Sequence, residues 1–345
     1  MQKQFLILIL NVFLLVGVSL QNAYSDEVFK YDDTSISKIK PWTSESFKNN
    51  PEDFQFAVIG DRTGGSDPQG IFSRAVDQLN LLQPEFVINV GDLVEGYTDD
   101  KAKANAMWDE VEPVIKKLEM PFFYTVGNHD LGNDTMKQVW LDRHGATYYH
   151  FVYRNVLFVV LNTEDPSNPM PEGVDEKTEV YKRLQKEDPA AAQAMLKEFM
   201  DSLASYRVPA QFSDQQMDYV KKALEENTDV RWTFFFLHQP VWENPPEKFL
   251  ALEQLIKDRP YTFIAGHLHY YDIEKRNGRD YITMGPAGAS WHKDGGGNVD
   301  HILWVTMKNN APEIAKITMD GIYDRQGRSI ELKNMYDRES EGKKK

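Results

Sequence analysis

The chain has 345 residues, 39 Lys and Arg against 53 Asp and Glu for a formal charge of −14, 41% hydrophobic residues and no cysteine. The missing cysteine excludes a disulfide framework, a thiolate zinc site, an iron–sulfur cluster and a cysteine nucleophile, so any metal must sit on oxygen and imidazole donors. The acidic balance argues against dedicated nucleic-acid binding, which needs a basic face, while a small anionic substrate stays possible where cations gather.

In chain order, residues 1–25 carry Lys3, an apolar run over 5–20 and the small-residue tripeptide Ala23-Tyr24-Ser25. That is the pattern of a cleaved export signal; the competing reading is an uncleaved anchor, since the run falls just short of the ~20 residues that span a bilayer. The expected location is therefore periplasmic or extracellular, or membrane-anchored if the signal stays, with no other membrane insertion. Residues 26–53 read as a polar surface leader. Five short apolar runs rich in β-branched and aromatic residues follow, at 54–59, 86–90, 122–126, 232–237 and 261–265. Each stops at a polar cluster, as a buried strand does where it leaves a sheet. The clusters are Gly60-Asp61-Arg62-Thr63, Gly91-Asp92-Leu93-Val94-Glu95, Gly127-Asn128-His129-Asp130, His238-Gln239-Pro240 and Gly266-His267-Leu268-His269.

Residues 71–82 and 104–118 have helical spacing between these runs, so the alternation predicts an α/β core covered on both faces. Ligands in such cores collect beyond the carboxyl ends of the strands, where the polar clusters fall. A further strand is expected at 156–161. A helical insertion over about 164–212 is expected to break near Asp188-Pro189 and to bury Leu184, Met195, Phe199 and Leu203. It reads either as packing on the domain edge or as a lid over the site. Ser213 is placed to cap a helix through Asn227, with Gln216 at the capping-box position. Strands are then expected at 279–284, 301–307 and 313–319, around a Gly-rich loop holding Trp291 and His292. His144, His150 and His301 read as structural. The domain is taken as 54–335, with a charged tail over 336–345.

Taken singly, a Gly-Asp after a strand is usually a turn, and His238 is a satisfied strand-end histidine. Taken together and in this order, the five clusters resemble the calcineurin-like metallophosphoesterase superfamily: an Asp motif, a second Gly-Asp, Gly-Asn-His-Asp, an isolated His and Gly-His-x-His. The resemblance implies a four-layer α-β-β-α sandwich. It also implies two metal ions (Mn, Fe or Zn), with Asp61 and His269 on one, Asn128, His238 and His267 on the other, and Asp92 bridging. His129 looks like the general acid, with Asp92 or Asp130 tuning it. The implied activity is hydrolysis of a small phosphorylated substrate, monoester ahead of diester, by a metal-activated water.

One departure stands out. Many members have His two residues after the first Asp, where this chain has Thr63. The purple acid phosphatase branch also lacks that His and uses a Tyr three residues after the bridging Asp, a position held here by Glu95. Glu95 is therefore either a ligand of the first metal or a residue that bonds a histidine or faces solvent, and Thr63 is a candidate to hold a metal-bound water. Arg62 is either a phosphate clamp, because its guanidinium forks onto two oxygens, or a salt bridge that holds the loop. Thr63 also motivates the alternatives: a weak or inactive metal-binding protein of the same fold, or a structural protein in which these residues only staple the chain.

Overall fold

The computed structural model describes residues 43–44, 50–63, 70–166, 174–195, 210–290, 299–319 and 321. The chain divides into Met1–Asn50 and Pro51–Lys345, and all that follows concerns the second unit. The expectations for residues 1–25, for nearly all of the leader, for Phe199, Leu203, Trp291 and His292, and for the tail lie outside the described residues.

Strand β1 (Phe54–Ile59) turns Phe54, Phe56 and Val58 to one side and Ala57 and Ile59 to the other, as the two-residue period of a strand requires, and all five are fully buried. The first sheet has five strands in the order β11 (Ala311–Thr318), β10 (His301–Lys308), β1, β2 (Val87–Asn89), β3 (Phe122–Phe123). The β1–β2–β3 part is parallel and β10 and β11 are antiparallel additions. The second sheet has six strands in the order β4 (Tyr149–Tyr153), β5 (Val156–Val160), β6 (Trp232–Phe236), β7 (Tyr261–Ala265), β9 (Arg279–Thr283), β8 (Asp272–Arg276). Its β5–β6–β7–β9 centre is parallel, and each edge is closed by an antiparallel strand.

Three apolar layers hold these sheets. Between them lie Phe54, Phe56, Phe86, Phe158, Phe234 and Phe236, with Ile264, Ile282, Leu303 and Val305. Phe56 sits at the centre, stacked on Phe86 with ring centroids 5.1 Å apart and edge-on to Phe158 and Phe234. Outside the first sheet, Ala57, Ile59 and Val87 pack on helices α1 (Ile71–Leu82), α2 (Lys101–Ile115) and α3 (Asp134–Arg143) through Phe72, Leu79, Trp108, Val111 and Trp140. Beyond the insertion helix α4 (Val174–Glu187), α5 (Asp214–Glu226) and α6 (Glu247–Ile256) cover the outside of the second sheet through Val220, Leu224, Phe249 and Leu252. This unit is thus a four-layer α-β-β-α sandwich.

Local chemistry sets the ends of the elements. Asp100 caps α2 by accepting from Ala102 and Lys103, starting it three residues before the expected boundary. Ser213 caps α5 through Gln216 N, but the Gln216 side chain does not close a capping box. It is fully buried and instead bonds both the N–H and the C=O of Asn162, tying α5 to the end of β5. Strand β3 is shorter than the apolar run 122–126 because the Thr125 main chain pairs with the Asn89 side chain rather than continuing the ladder. In the insertion, α4 ends at Glu187 and helix resumes over 189–195, where the Asp188 carboxylate caps Ala191 N and Pro189 takes the first helical position. Leu184 and Met195 are half-buried, and Ala192 is the buried residue of that stretch. No described helix is long and apolar enough to cross a membrane.

Candidate metal centre

The carboxyl ends of β1, β2, β6 and β7, with the segment after β3, face one another, and each delivers one of the polar clusters. Asp61 follows β1, Asp92 follows β2, Asn128 and His129 follow β3, His238 follows β6, and His267 and His269 follow β7. Asp92, His267 and His269 have φ of +56°, +70° and +56°. Three non-glycine residues in the left-handed region are a backbone cost that the surrounding bonds sustain. Asp130 supplies many of those bonds. Its buried carboxylate accepts from the N–H groups of Asp92 (2.8 Å), Leu93 (3.0 Å), Val94 (3.3 Å) and Gly127 (2.9 Å), so it shapes the Asp92 loop rather than touching His129. Gly127 has no room for a side chain, because a Cβ there would overlap Asp92 Oδ1 and crowd Asp92 N.

Two groups of metal-donor side chains meet at Asp92. Asp92, His238 and His267 form one, Asp61, Asp92 and His269 the other, with ligand atoms in each within 4.8 Å of one another. His238 Nδ1 donates to the Val90 carbonyl at 2.8 Å, which leaves Nε2 for the site. That Nε2 stands 3.1 Å from Asp92 Oδ2, 2.8 Å from Asn128 Oδ1 and 3.1 Å from His267 Nδ1. His269 likewise donates from Nδ1 to the Ser290 carbonyl at 2.5 Å and turns Nε2 toward Asp61, 3.9 Å away. Second bonds of this kind fix the tautomer and the ring plane of a metal-binding histidine.

The donor set fits cations. Asp61 Oδ1 accepts from His267 N at 3.0 Å, while Oδ2 is buried without a hydrogen-bond partner, which is costly unless a positive charge faces it. Burial pushes the Asp61 pKa up to about 7, as expected of a carboxylate taken out of water. Burial also opposes charge on Asp92, yet the facing His238 and His129 hold it well below the usual carboxylate range. Against its own burial, His238 is raised to about 10 by Asp92 and Asp61, the direction expected where two carboxylates face one imidazole. Burial and the His238 charge lower His267 to about 3, and burial first lowers His269 to about 4, leaving both neutral with lone pairs to give. Nitrogen and oxygen donors of this kind suit Mn, Fe or Zn.

His129 lies beside this cluster with its roles divided between the two ring nitrogens. Its Nδ1 donates to the Glu95 carbonyl at 2.7 Å, its main-chain N–H donates to Asp92 Oδ1 at 2.9 Å, and Nε2 stands 3.9 Å from Asp92 Oδ2. The other residues singled out in the sequence are placed differently. The Glu95 carboxylate is in neither donor group, and the Glu95 main-chain carbonyl accepts from His129 Nδ1. Arg62 forms the loop salt bridge: Nη1 donates to Leu93 O at 3.1 Å and Nη2 pairs with Glu110 on α2. Thr63 is fully buried and donates from Oγ1 to the Asp92 carbonyl at 3.2 Å, so its hydroxyl braces the bridging residue's loop.

Two neighbours were not legible in the sequence. Tyr97, five residues after Asp92, accepts from Asn128 Nδ2 at 2.5 Å and lies against the His129 ring. Glu164, 9% exposed, pairs with Gln239 next to His238, and burial raises its pKa. An aromatic residue inside the polar stretch 95–100 was the one signal pointing to Tyr97; Glu164 carried none.

Comparisons with known proteins agree with this fold. Among solved structures, a dimetal phosphatase from Danio rerio matches with a TM-score of 0.56 at 16% identity, covering 78% of this chain and 97% of that one. GAP50, the anchor in the inner membrane complex of Plasmodium, matches with a TM-score of 0.50 at 16% identity, covering 81% of this chain and 87% of that one. At such identities the likeness is one of fold. No curated protein matches. The family description "calcineurin-like phosphoesterase" matches residues 54–271, a span that holds β1 through Tyr271 and every residue of both donor groups, and the chain belongs to that family.

Proposed function

We propose that the protein is an exported metal-dependent phosphoesterase that hydrolyses a small phosphate ester with His129 as general acid. The observation that carries the reading is the sharing of one carboxylate, Asp92, by two donor groups. Asp61 and His269 with Asp92 hold one cation; Asn128, His238 and His267 with Asp92 hold the other. Bound there, two cations supply Lewis-acid polarisation of the phosphate ester and a water acidic enough to attack phosphorus directly.

The chain's own residues do the rest. The Glu95 carbonyl can only accept, so His129 Nδ1 keeps its hydrogen and the transferable proton of the imidazolium is at Nε2. That nitrogen stands 3.9 Å from Asp92 Oδ2, at the donor cluster, and is placed to give its proton to the ester oxygen as it departs. Export rests on the pattern of residues 1–25.

The test uses the purified mature protein, whose first residue falls near position 26 if the signal is removed. Elemental analysis is expected to find two metals per chain after reconstitution, and aryl phosphate mono- and diesters are assayed side by side. His129→Ala should keep both metals and lose about 10²–10⁴-fold in turnover, the usual worth of a positioned acid. One metal or none, with no hydrolysis, would replace the enzyme reading with that of a metal-binding protein of the same fold.

A further inference from the structure

The loop over 95–98 closes around Asn128 and His129 from one side. Glu95 gives its carbonyl to His129 Nδ1, Gly96 at φ +63° packs so tightly on the His129 main chain that a Cβ would overlap its carbonyl, and Thr98 O accepts from Asn133 Nδ2 at 3.0 Å. Between Gly96 and Thr98 stands Tyr97, at φ +53°, a conformation that a bulky residue adopts only under constraint. Its ring centroid is 4.4 Å from that of His129, and its hydroxyl oxygen is 2.5 Å from Asn128 Nδ2.

We infer that Tyr97 is the positioning residue of this centre: its hydroxyl anchors the Asn128 amide and its ring limits rotation of His129. The inference rests on the metal reading above. Asn128 is the only neutral oxygen donor proposed for either cation, so no net charge draws it to the metal. Oδ1 is 2.8 Å from His238 Nε2, on the side of the Asp92–His238–His267 group, and the amide plane is fixed from the opposite end, where Nδ2 donates to Tyr97. That bond also shifts electron density toward Oδ1, making it a better donor. Without the hydroxyl the amide keeps no partner for Nδ2, and Oδ1 swings away from its aim. The ring acts separately: tilted 54° against the imidazole, it keeps Nε2 directed at the site while Glu95 holds Nδ1.

The two parts of the side chain are separated by two substitutions. Tyr97→Phe keeps the ring, and metal titration should show one of two affinities weakened about 10–100-fold, the usual effect of removing a bond behind a ligand, with the other unchanged. Saturating metal should then restore its turnover. Tyr97→Leu should show the same metal defect, and its turnover should stay low at saturating metal because His129 is no longer braced. Asn128→Ala closes the cycle: once the amide is gone, Tyr97→Phe should cost metal affinity nothing more, whereas additive losses would overturn the inference. Circular dichroism of each metal-free variant checks the fold, and Tyr97→Leu repeats the metal measurement should Tyr97→Phe not fold. Two metals of unchanged affinity in both Tyr97 variants would sink the role of Tyr97 and leave the enzyme reading standing. Fewer than two metals in the unsubstituted protein would sink both.

Discussion

At Asp92 one side chain faces four imidazoles: it stands 3.1 Å from His238 and 3.9 Å from His129, and it belongs to both donor groups, one with His267 and the other with His269. Its loop is held by Asp130, Thr63 and the Arg62 N–H, so the carboxylate has little freedom to retreat from its neighbours. Replacing one of its oxygens by an amide nitrogen puts two hydrogens where a lone pair is needed. Asp92→Asn should therefore lower the metal content of the reconstituted protein from two to less than one per chain. Glu95→Gln makes the contrast. Glutamine keeps the main-chain carbonyl that holds His129, and the lost charge belongs to neither donor group, so two metals and near-normal turnover are expected. Loss of one metal in Glu95→Gln would show that the carboxylate reaches the first site in solution.

At the scale of elements, His144 shows what the helices can and cannot absorb. It ends α3, donating its N–H to Trp140 O at 2.7 Å, and its ring is caged by Trp108, Tyr124 and Trp140 at centroid distances of 4.5, 4.4 and 4.8 Å. Burial lowers its pKa to about 4; Arg143 and Lys116 push the same way, and the Glu112 carboxylate 3.9 Å from Nε2 pushes back. The unfolded chain binds this proton near pH 6.5 and the folded chain only near pH 4. Stability from His144 is thus complete above pH 6.5 and is lost as pH falls from there toward 4. Nε2 is buried without a hydrogen-bond partner, so His144→Phe keeps the stacking and gives up no bond. The variant should match the parent at pH 7 and exceed it by roughly 2 kcal/mol at pH 5, read from urea midpoints. A constant difference across that range would refute the assignment.

Elements of this kind were unequally legible. Strands β1 and β7 have the bounds their apolar runs suggested, because burial on both faces leaves a continuous signal. The edge strand β8 reads Asp-Ile-Glu-Lys-Arg and is largely exposed, so it has no apolar period to find. Gln216 was in place for a capping box, yet a buried carbonyl and N–H on Asn162 claimed its amide, a contact 54 residues away that no local pattern encodes.

Across the whole molecule, the site's residues were legible because each follows a short apolar run that leads out of a sheet, whereas its bracing was not. Asp61, Asp92 and Asn128 come from the first sheet and its connections; His238, His267 and His269 come from the second. Bound cations would therefore join the two sheets at their carboxyl ends, relieving the repulsion of two buried carboxylates and the orphaned Asp61 oxygen. That linkage adds stability by mass action, about 2.7 kcal/mol at a free metal concentration one hundred times Kd. At about 2.1 cal/mol/K of unfolding entropy per residue, the gain corresponds to a rise in Tm of roughly 5 °C for a domain of this size. The three apolar layers are held by contacts of their own: Phe56, Phe158 and Phe234 interlock through their rings, and Trp108 and Phe249 seal the outer faces. Chelation should accordingly lower Tm by that amount while leaving a single cooperative transition and unchanged far-ultraviolet circular dichroism. Loss of the transition would mean that the metals staple the fold, since the three apolar layers are built from side chains other than the ligands.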